Sequence, residues 1–414
     1  MIENNLEKKF LKIKKFFPFF NKNNVIYFDN AGTTQKHIKV IEMSNYYYLN
    51  DCANIHSSDC SLSLNALNEY KNCKQSIAKF LNCNDFELFF SSGTTLILNQ
   101  FVLIMEKILN EGDQILLSYY EHSSNFFPWI KMKDKKKLKF LYLPYKNDFS
   151  VDYLQLEKLI SKNNIKVISL ALTNNNTGEE LDILKIKSFL KKKLQNPLIL
   201  LDAAQAVSHT KIDLKQLDID FLAFSGHKIY GPTGIGVGYI NHKTLNKYNF
   251  DPILLGGGAI SWCDDEVSYK LKPFPWNFES GTLNIEAIYG LHQAIKFVDN
   301  IGVENISNYE KFLQKFAILK LSKLKNIKIY NKNISSSIVL FNVDKVFSQD
   351  VASYLSYKNI CVRSGDHCAK FLKNIINVTT TVRVSFAIYN NREEVLKFIK
   401  EIENGGDFLG GIFR

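Results

Sequence analysis

The chain has 414 residues, 46% hydrophobic and 22% charged, an ordinary globular make-up at a length that favours two domains over one growing core. No stretch approaches the roughly 18 uninterrupted apolar residues of a membrane helix. Seven cysteines without a C-x-x-C pair exclude a disulfide framework and a structural zinc site, so a reducing compartment and no metal are expected.

The formal charge of +11 comes mainly from lysines scattered among asparagines. Clusters such as "KDKKKLK" (133–139) and "LKKKLQ" (190–195) read as solvated faces rather than a stripe that tracks phosphates. Nucleic acid is therefore not an expected partner, and neither is a membrane.

The opening "MIENNLEKKFLKIKKFFPFF" is basic and amphipathic, carries Glu3 and Glu7, and lacks the apolar core and cleavage site of a signal peptide. It reads as a first helix ended near Pro18, and the expected location is the cytoplasm; a plastid protein stripped of its leader would read the same. From Val25 to about Ile240, short apolar runs alternate with amphipathic segments: "ELFF", the helical "LILNQFVLIMEKILN" (96–110), "QILLS", "KFLYLP", "KVISLAL", "LILLDAA" and "FLAFS". That alternation predicts an α/β fold with a mostly parallel sheet covered by helices, whose ligands gather at the carboxyl ends of the strands. A loop-rich passage follows (about 252–284). The helix "EAIYGLHQAIKFVDNIG" then leads into the runs "IKIYN", "SIVLFNV", "ICVRS" and "VRVSFAIY", the pattern of a smaller α+β domain. The expected division is an N-terminal helical segment (1–24) packed on the small domain, a large domain (25–290) and a small C-terminal domain (291–414).

Several strand ends carry residues suited to chemistry. In "LFFSSGTTLILNQ" a strand ends at Phe90 and a helix begins near Thr94. The free N–H groups there, with the hydroxyls of Thr94 and Thr95, suit either a phosphate or a plain N-cap. In "LILLDAAQA" an apolar strand runs into Asp202, which needs a cation when buried. A protonated pyridine nitrogen would serve, or the carboxylate caps the next helix; Gln205 lies a turn later and could donate to the ring's phenolic oxygen. "AFSGHKIYGPTGIG" places Lys228 just past another apolar strand, 26 residues after Asp202, enough for a helix and one more strand. Such a lysine either reaches solvent or, neutralised by desolvation, condenses with a carbonyl compound such as pyridoxal phosphate. Ser225 and His227 could then join the phosphate cup. In "YYEHSSN", His122 could stack on a cofactor ring and shuttle protons or be an unremarkable surface residue, and in "LTNNNTGE" Asn175 could bond a substrate carboxylate or the cofactor's oxygen.

With "YFDNAGTT" (27–34), "SSGTT", "EHSSN", "DAAQAV", "FSGHKIYGPTGIG", "ESGTLN" (279–284), "VRSGDHCA" (362–369) and "RVSFAIYN" (383–390) in this order, the chain resembles a cysteine desulfurase of the SufS/CsdA-like group. That group belongs to the class V aminotransferase family of fold-type I pyridoxal-phosphate enzymes. The resemblance implies that Lys228 binds the cofactor's aldehyde, Asp202 pairs with its pyridinium, Gln205 touches the ring oxygen and His122 stacks on the ring. It assigns the phosphate to Thr95, Ser225 and His227, with Thr94 beside them and Thr282 reaching in from a second subunit, hence a homodimer. Arg383 and Asn175 would grip the substrate carboxylate, with Arg363 beside a mobile cysteine loop. In that loop, "RSGDHCA", Cys368 lies among Arg363, Gly365 and His367, an electropositive setting that favours thiolate. The implied reaction takes sulfur from L-cysteine, releases alanine and leaves a persulfide on Cys368 for a SufE-like or SufU-like acceptor that feeds iron–sulfur cluster assembly. A selenocysteine lyase and a class V aminotransferase are the alternatives. Two stretches depart from the group: Asp366 stands where relatives commonly carry histidine and would raise the thiol's pKa, and "NIHSSDCSLS" (54–63) keeps His56 but has Ser57 for arginine and Cys60 for a second histidine.

Overall fold

The computed structural model describes residues 2–56 and 59–404. In chain order its strands are β1 (Ile26–Tyr27), β2 (Leu88–Ser91), β3 (Gln114–Leu117), β4 (Lys139–Tyr142), β5 (Ile165–Ala171), β6 (Leu198–Asp202), β7 (Phe221–Ser225), β8 (Gly236–Ile240), β9 (Ile260–Cys263), β10 (Tyr269–Leu271), β11 (Ile327–Ile329), β12 (Ile338–Val343), β13 (Ile360–Cys361), β14 (Arg363–Gly365) and β15 (Thr381–Ser385).

Seven of them form the central sheet in the order β2-β8-β7-β6-β5-β3-β4. Strands β3 to β7 run parallel, whereas β8 is antiparallel to both β7 and β2. Alternation along each strand feeds two cores, as the two-residue period of a strand requires. On β6, Ile199 and Leu201 pack into one core and Leu198 and Leu200 into the other; on β7, Leu222 and Phe224 oppose Phe221 and Ala223. The α/β class with a mostly parallel sheet is thus as expected. The chain goes from β3 out to β4, then returns past β3 to lay down β5, β6 and β7 on its other side. Strand order therefore reverses between β3 and β5, where open α/β sheets form a crevice at the strands' carboxyl ends.

The C-terminal part contains a four-stranded antiparallel sheet, β11-β12-β15-β14. It follows two long helices, Ile285–Ile301 and Val303–Leu321. Strand β1 pairs in parallel with β13, and Asp29 bridges to Ser385, so the chain's beginning is stitched to its end. The N-terminal helix, Ile2–Lys14, lies against the same region: Phe10 packs on Tyr309, Glu7 bonds Arg392, and Lys14 bonds Glu394.

Three local expectations need correction. The first helix stops at Lys14, and Pro18 opens a second short helix, Pro18–Lys22, where a proline's missing N–H costs nothing. The helix quoted over 96–110 begins at Thr94, as the strand-end reading expects, but ends at Ile104, continued by a 3-10 turn to Lys107. The loop-rich passage contains a hairpin, β9 with β10, whose residues are mostly exposed and so leave little hydrophobic pattern to read. Among the described residues no helix is long and apolar enough to cross a membrane.

Candidate active site

A cavity of about 720 Å³, counting its mouth, lies at the carboxyl ends of the central strands. Its wall includes His122 after β3, Thr173 and Asn175 after β5, Asp202 at the end of β6, and Ser225, His227 and Lys228 at the end of β7. Thr94 and Thr95 join it from the start of the helix Thr94–Ile104, and Arg363 and Arg383 join from β14 and β15. Gln205 lines it as well, whereas Thr282 is exposed and outside the cavity of its own chain.

Asp202 ends β6 and Lys228 follows its parallel neighbour β7; Asp202 is buried and Lys228 half-buried on the cavity wall. One Asp202 oxygen accepts the N–H of Ala204 at 2.9 Å, a local turn rather than a helix cap. Burial raises the Asp202 pKa, opposed by that bond and by the Lys228 charge. Burial lowers Lys228 to about 8, opposed by Asp202, while Arg383 and Arg363 push it down further. A lysine in this state has an accessible neutral amine near physiological pH, the form that attacks a carbonyl.

The start of the helix Thr94–Ile104 is fastened to β7: Ser225 Oγ accepts the Thr94 N–H at 2.8 Å and lies 2.7 Å from Thr94 Oγ1. Thr95 Oγ1 lies 2.7 Å from Ser124 Oγ, which lies 2.9 Å from His122 Nδ1. The Ser124 N–H also donates to Nδ1, at 3.2 Å, which makes Nδ1 an acceptor and puts the proton of the neutral ring on Nε2. Burial lowers His122 to about 4, helped by Lys228, Arg363 and Arg383. His227 is likewise lowered to about 4 by burial, with Lys228 and Lys36 adding to it.

On the opposite wall, Arg383 and Arg363 stand directly across from each other in the β14–β15 ladder, so two like charges share one face. Asp29 compensates: its Oδ1 accepts from Arg383 Nη2 at 2.8 Å, while Arg383 Nη1 donates to the Asn175 carbonyl at 2.9 Å. Asn175 itself donates to the His367 carbonyl at 2.9 Å. Gln205 Nε2 donates to the Ala31 carbonyl at 2.8 Å, which ties it to the segment after β1.

Arg363 Nη2 lies 3.3 Å from Cys368 Sγ. His367 and Cys368 both have left-handed backbones, at φ 52° and 60°, a conformation that costs side-chain-bearing residues about 1 kcal/mol or more each. The loop is held there by Ser123, whose N–H and Oγ both donate to the Cys368 carbonyl, at 2.7 and 2.8 Å. Asp366 does not meet the sulfur: its carboxylate accepts the Cys368 N–H at 3.0 Å and pairs with Lys370. Of the departing stretch 54–63, Ser57 lies outside the described residues. Cys60 is exposed at the start of the helix Ser61–Leu81, where the Ser63 hydroxyl lowers its pKa.

Sequence reasoning missed four groups. Asp29 sits in the quoted "YFDNAGTT" but has no sequence signal for its partner, Arg383. Ser124 orients His122. His367, flagged only as a neighbour of Cys368, is buried with Nε2 2.8 Å from Thr381 Oγ1. Glu121, next to His122 in sequence, is wholly buried, accepts from Asn125 and the Ala171 N–H, and is raised by burial to about 8.

The donor set matches the expected cofactor. A buried carboxylate, a half-buried amine and an aromatic imidazole line one cavity, beside a helix start rich in hydroxyls. Three buried polar atoms on cavity-lining residues, Thr173 Oγ1, His367 Nδ1 and Arg383 Nε, lack a hydrogen-bond partner among the described residues, which polar groups buried in a finished core rarely do.

Comparison with known proteins agrees. The aminotransferase class-V family model matches residues 26–398. A curated cysteine desulfurase of Wigglesworthia glossinidia brevipalpis is 34% identical over 404 residues, which cover 96% of this chain and 98% of that protein. Among solved structures, a cysteine desulfurase from Thermococcus onnurineus NA1 superposes with a TM-score of 0.89 at 34% identity, covering 95% of this chain and 97% of its own. The cysteine desulfurase CsdA from Escherichia coli gives 0.86 at 28% identity with the same two coverages.

Proposed function

The chain belongs to the class V aminotransferase family and is a pyridoxal-phosphate-dependent cysteine desulfurase, and we propose that Lys228, Asp202 and Cys368 carry its chemistry. The observation that supports this assignment best is the convergence of three features. A buried carboxylate and a pKa-lowered lysine sit on adjacent strand ends, and the wall facing them presents two arginines, one of which touches an intermediate-exposure cysteine.

Lys228 would hold the cofactor by its aldehyde, Asp202 would hold its ring nitrogen in the protonated form, and His122 would cover the ring. Thr94, Thr95, Ser225 and His227 would hold the phosphate, and Gln205 the ring oxygen. Bound there, pyridoxal phosphate withdraws electrons from the substrate's α-carbon, which labilises its sulfur. Arg383 and Asn175 fix the substrate carboxylate, so that the thiol side of L-cysteine faces Arg363 and Cys368. Arg363 steers the Cys368 sulfur by its hydrogen bond to it. Cys368 takes the sulfur atom: the substrate's carbon–sulfur bond breaks, a sulfur–sulfur bond forms, and the electron pair and a proton end on the carbon product, alanine. His122 is placed to move that proton through Nε2, since Nδ1 is occupied by Ser124.

We further place Thr282 in the partner's cavity in a homodimer, a reading supported by its exposure and by its lying outside the lining of the cavity of its own chain. A SufE-like or SufU-like protein is the proposed sulfur acceptor. Seven unpaired cysteines favour a reducing compartment, the cytoplasm in the first instance.

The test supplies the purified protein with pyridoxal phosphate, L-cysteine and a thiol reductant and measures alanine and sulfide. Equal yields of the two, lost in the Cys368→Ser variant while the cofactor's visible band persists, are expected. With a keto acid added, 3-mercaptopyruvate in place of alanine and sulfide would point to the aminotransferase alternative, and undiminished sulfide from the variant would remove Cys368 from the reaction. Light scattering at twice the chain mass checks the dimer.

A further inference from the structure

The residues between β1 and the helix Ile38–Tyr46 include a segment, Asp29 to Lys36, that touches three parts of the site. Asp29 pairs with Arg383, the Ala31 carbonyl accepts from Gln205, and four donors from Thr33, Thr34 and Lys36 converge on one oxygen, the carbonyl of His227. The Thr34 N–H donates to it at 3.0 Å, Thr34 Oγ1 at 3.1 Å, Thr33 Oγ1 at 3.2 Å and Lys36 Nζ at 3.2 Å. Thr34 Oγ1 accepts in turn from the Tyr230 N–H at 2.9 Å, so its own proton is free to point at His227. That carbonyl belongs to the peptide bond joining His227 to Lys228. The turn it lies in, Gly226–Lys228, is a single 3-10 turn, too short to fix its own side chains.

Lys36 is the costly member of this group. Its ammonium is largely buried, and its contacts are neutral oxygens: the Thr34 carbonyl, the His227 carbonyl and, at 3.4 Å, Thr33 Oγ1. No carboxylate pairs with it among the described residues, and burial lowers its pKa to about 7. A methionine of the same length would avoid the expense of an unpaired buried cation. What lysine alone adds is a set of three directed N–H donors on a long stem, matched here by oxygens from three residues.

We infer that Lys36 is a positioning residue for Lys228: by gripping the His227 carbonyl it sets the plane of the 227–228 peptide and so the direction in which the Lys228 side chain enters the cavity. The inference rests on Lys228 being the cofactor's anchor. Pyridoxal phosphate is titrated into cofactor-free parent, Lys36→Met, Lys36→Arg and Thr33→Ala proteins, following the visible band of the lysine-bound cofactor, and the thermal midpoint of each cofactor-free protein is recorded. Losing a charge-assisted hydrogen bond weakens cofactor affinity about tenfold or more in Lys36→Met. Its thermal midpoint stays at or above the parent's. Lys36→Arg, which keeps directed donors, recovers part of the affinity, and Thr33→Ala loses less than Lys36→Met. Parent-like affinity in Lys36→Met overturns the inference, as does a loss matched by an equal fall in thermal stability. A parent protein that gives no band overturns the assignment of Lys228 itself, and this inference with it.

Discussion

Replacing Lys228 by methionine should make the cofactor-free protein more stable. Lys228 is half-buried on the cavity wall, and its pKa falls from the ordinary 10.5 to about 8 even with Asp202 beside it. A lysine that binds its proton less tightly when folded weighs against folding at every pH below its unfolded value. That penalty is present in full below about pH 8, shrinks as pH climbs towards 10.5, and is gone above it. At about 1.4 kcal/mol for each tenfold change in proton affinity, the gap amounts to roughly 3 kcal/mol. Methionine keeps the length of the stem and discards the charge, so Lys228→Met should gain up to that much at about pH 7, less the cost of leaving Asp202 without its cation, and much less at about pH 9.5. The assay is denaturant unfolding of both cofactor-free proteins at the two pH values, read as the shift in midpoint. A variant no more stable than the parent near neutrality, or a gain that ignores pH, would refute the reasoning. The expected result is a trade of stability for reactivity: the burial that makes the amine nucleophilic is the burial that strains the fold.

Three other expectations can be checked alongside. Cys368→Ala should lower alanine formation from L-cysteine by about a hundredfold or more, yet spare selenocysteine, whose weaker carbon–selenium bond needs less help from a protein nucleophile; equal losses on both substrates would contradict that division. Arg383→Lys cannot reproduce the two-directional grip on Asp29 and the Asn175 carbonyl, so the KM for L-cysteine should rise about tenfold with a smaller change in kcat. In the cofactor-free protein the His122 imidazole should stay neutral down to about pH 5 when followed by NMR, because burial holds its pKa near 4; titration near 6.5 would show an exposed ring.

The sheet and its ligand-bearing edge were legible because fully apolar strands such as "LILL" and "FLAF" announce burial on both faces, and a charged residue at the end of such a run stands out against it. Asp202 and Lys228 were visible for this reason. Pairings between distant segments left no such trace. Asp29 and Arg383 are 354 positions apart, and nothing local in either stretch specifies the other. Lys36 carries no sequence signal of its own in a lysine-rich chain, since its burial arises only when residues 33–36 fold against the turn after β7. The hairpin β9–β10 escaped notice because its side chains are exposed and follow no hydrophobic period.

The parallel pairing of β1 with β13 has a consequence for how the chain acquires its shape. The first helix buries Phe10 against Tyr309, Phe17 just beyond it packs on Phe297 and Tyr389 as well as on His37 and Tyr230, and Glu7 waits for Arg392, 385 positions downstream. During synthesis that greasy leading segment emerges from the ribosome long before its resting place exists. Contacts of such separation form late and slowly. A nascent chain stalled before residue 360 would expose this segment to chaperones, and the clasp between head and tail closes only when translation is nearly over.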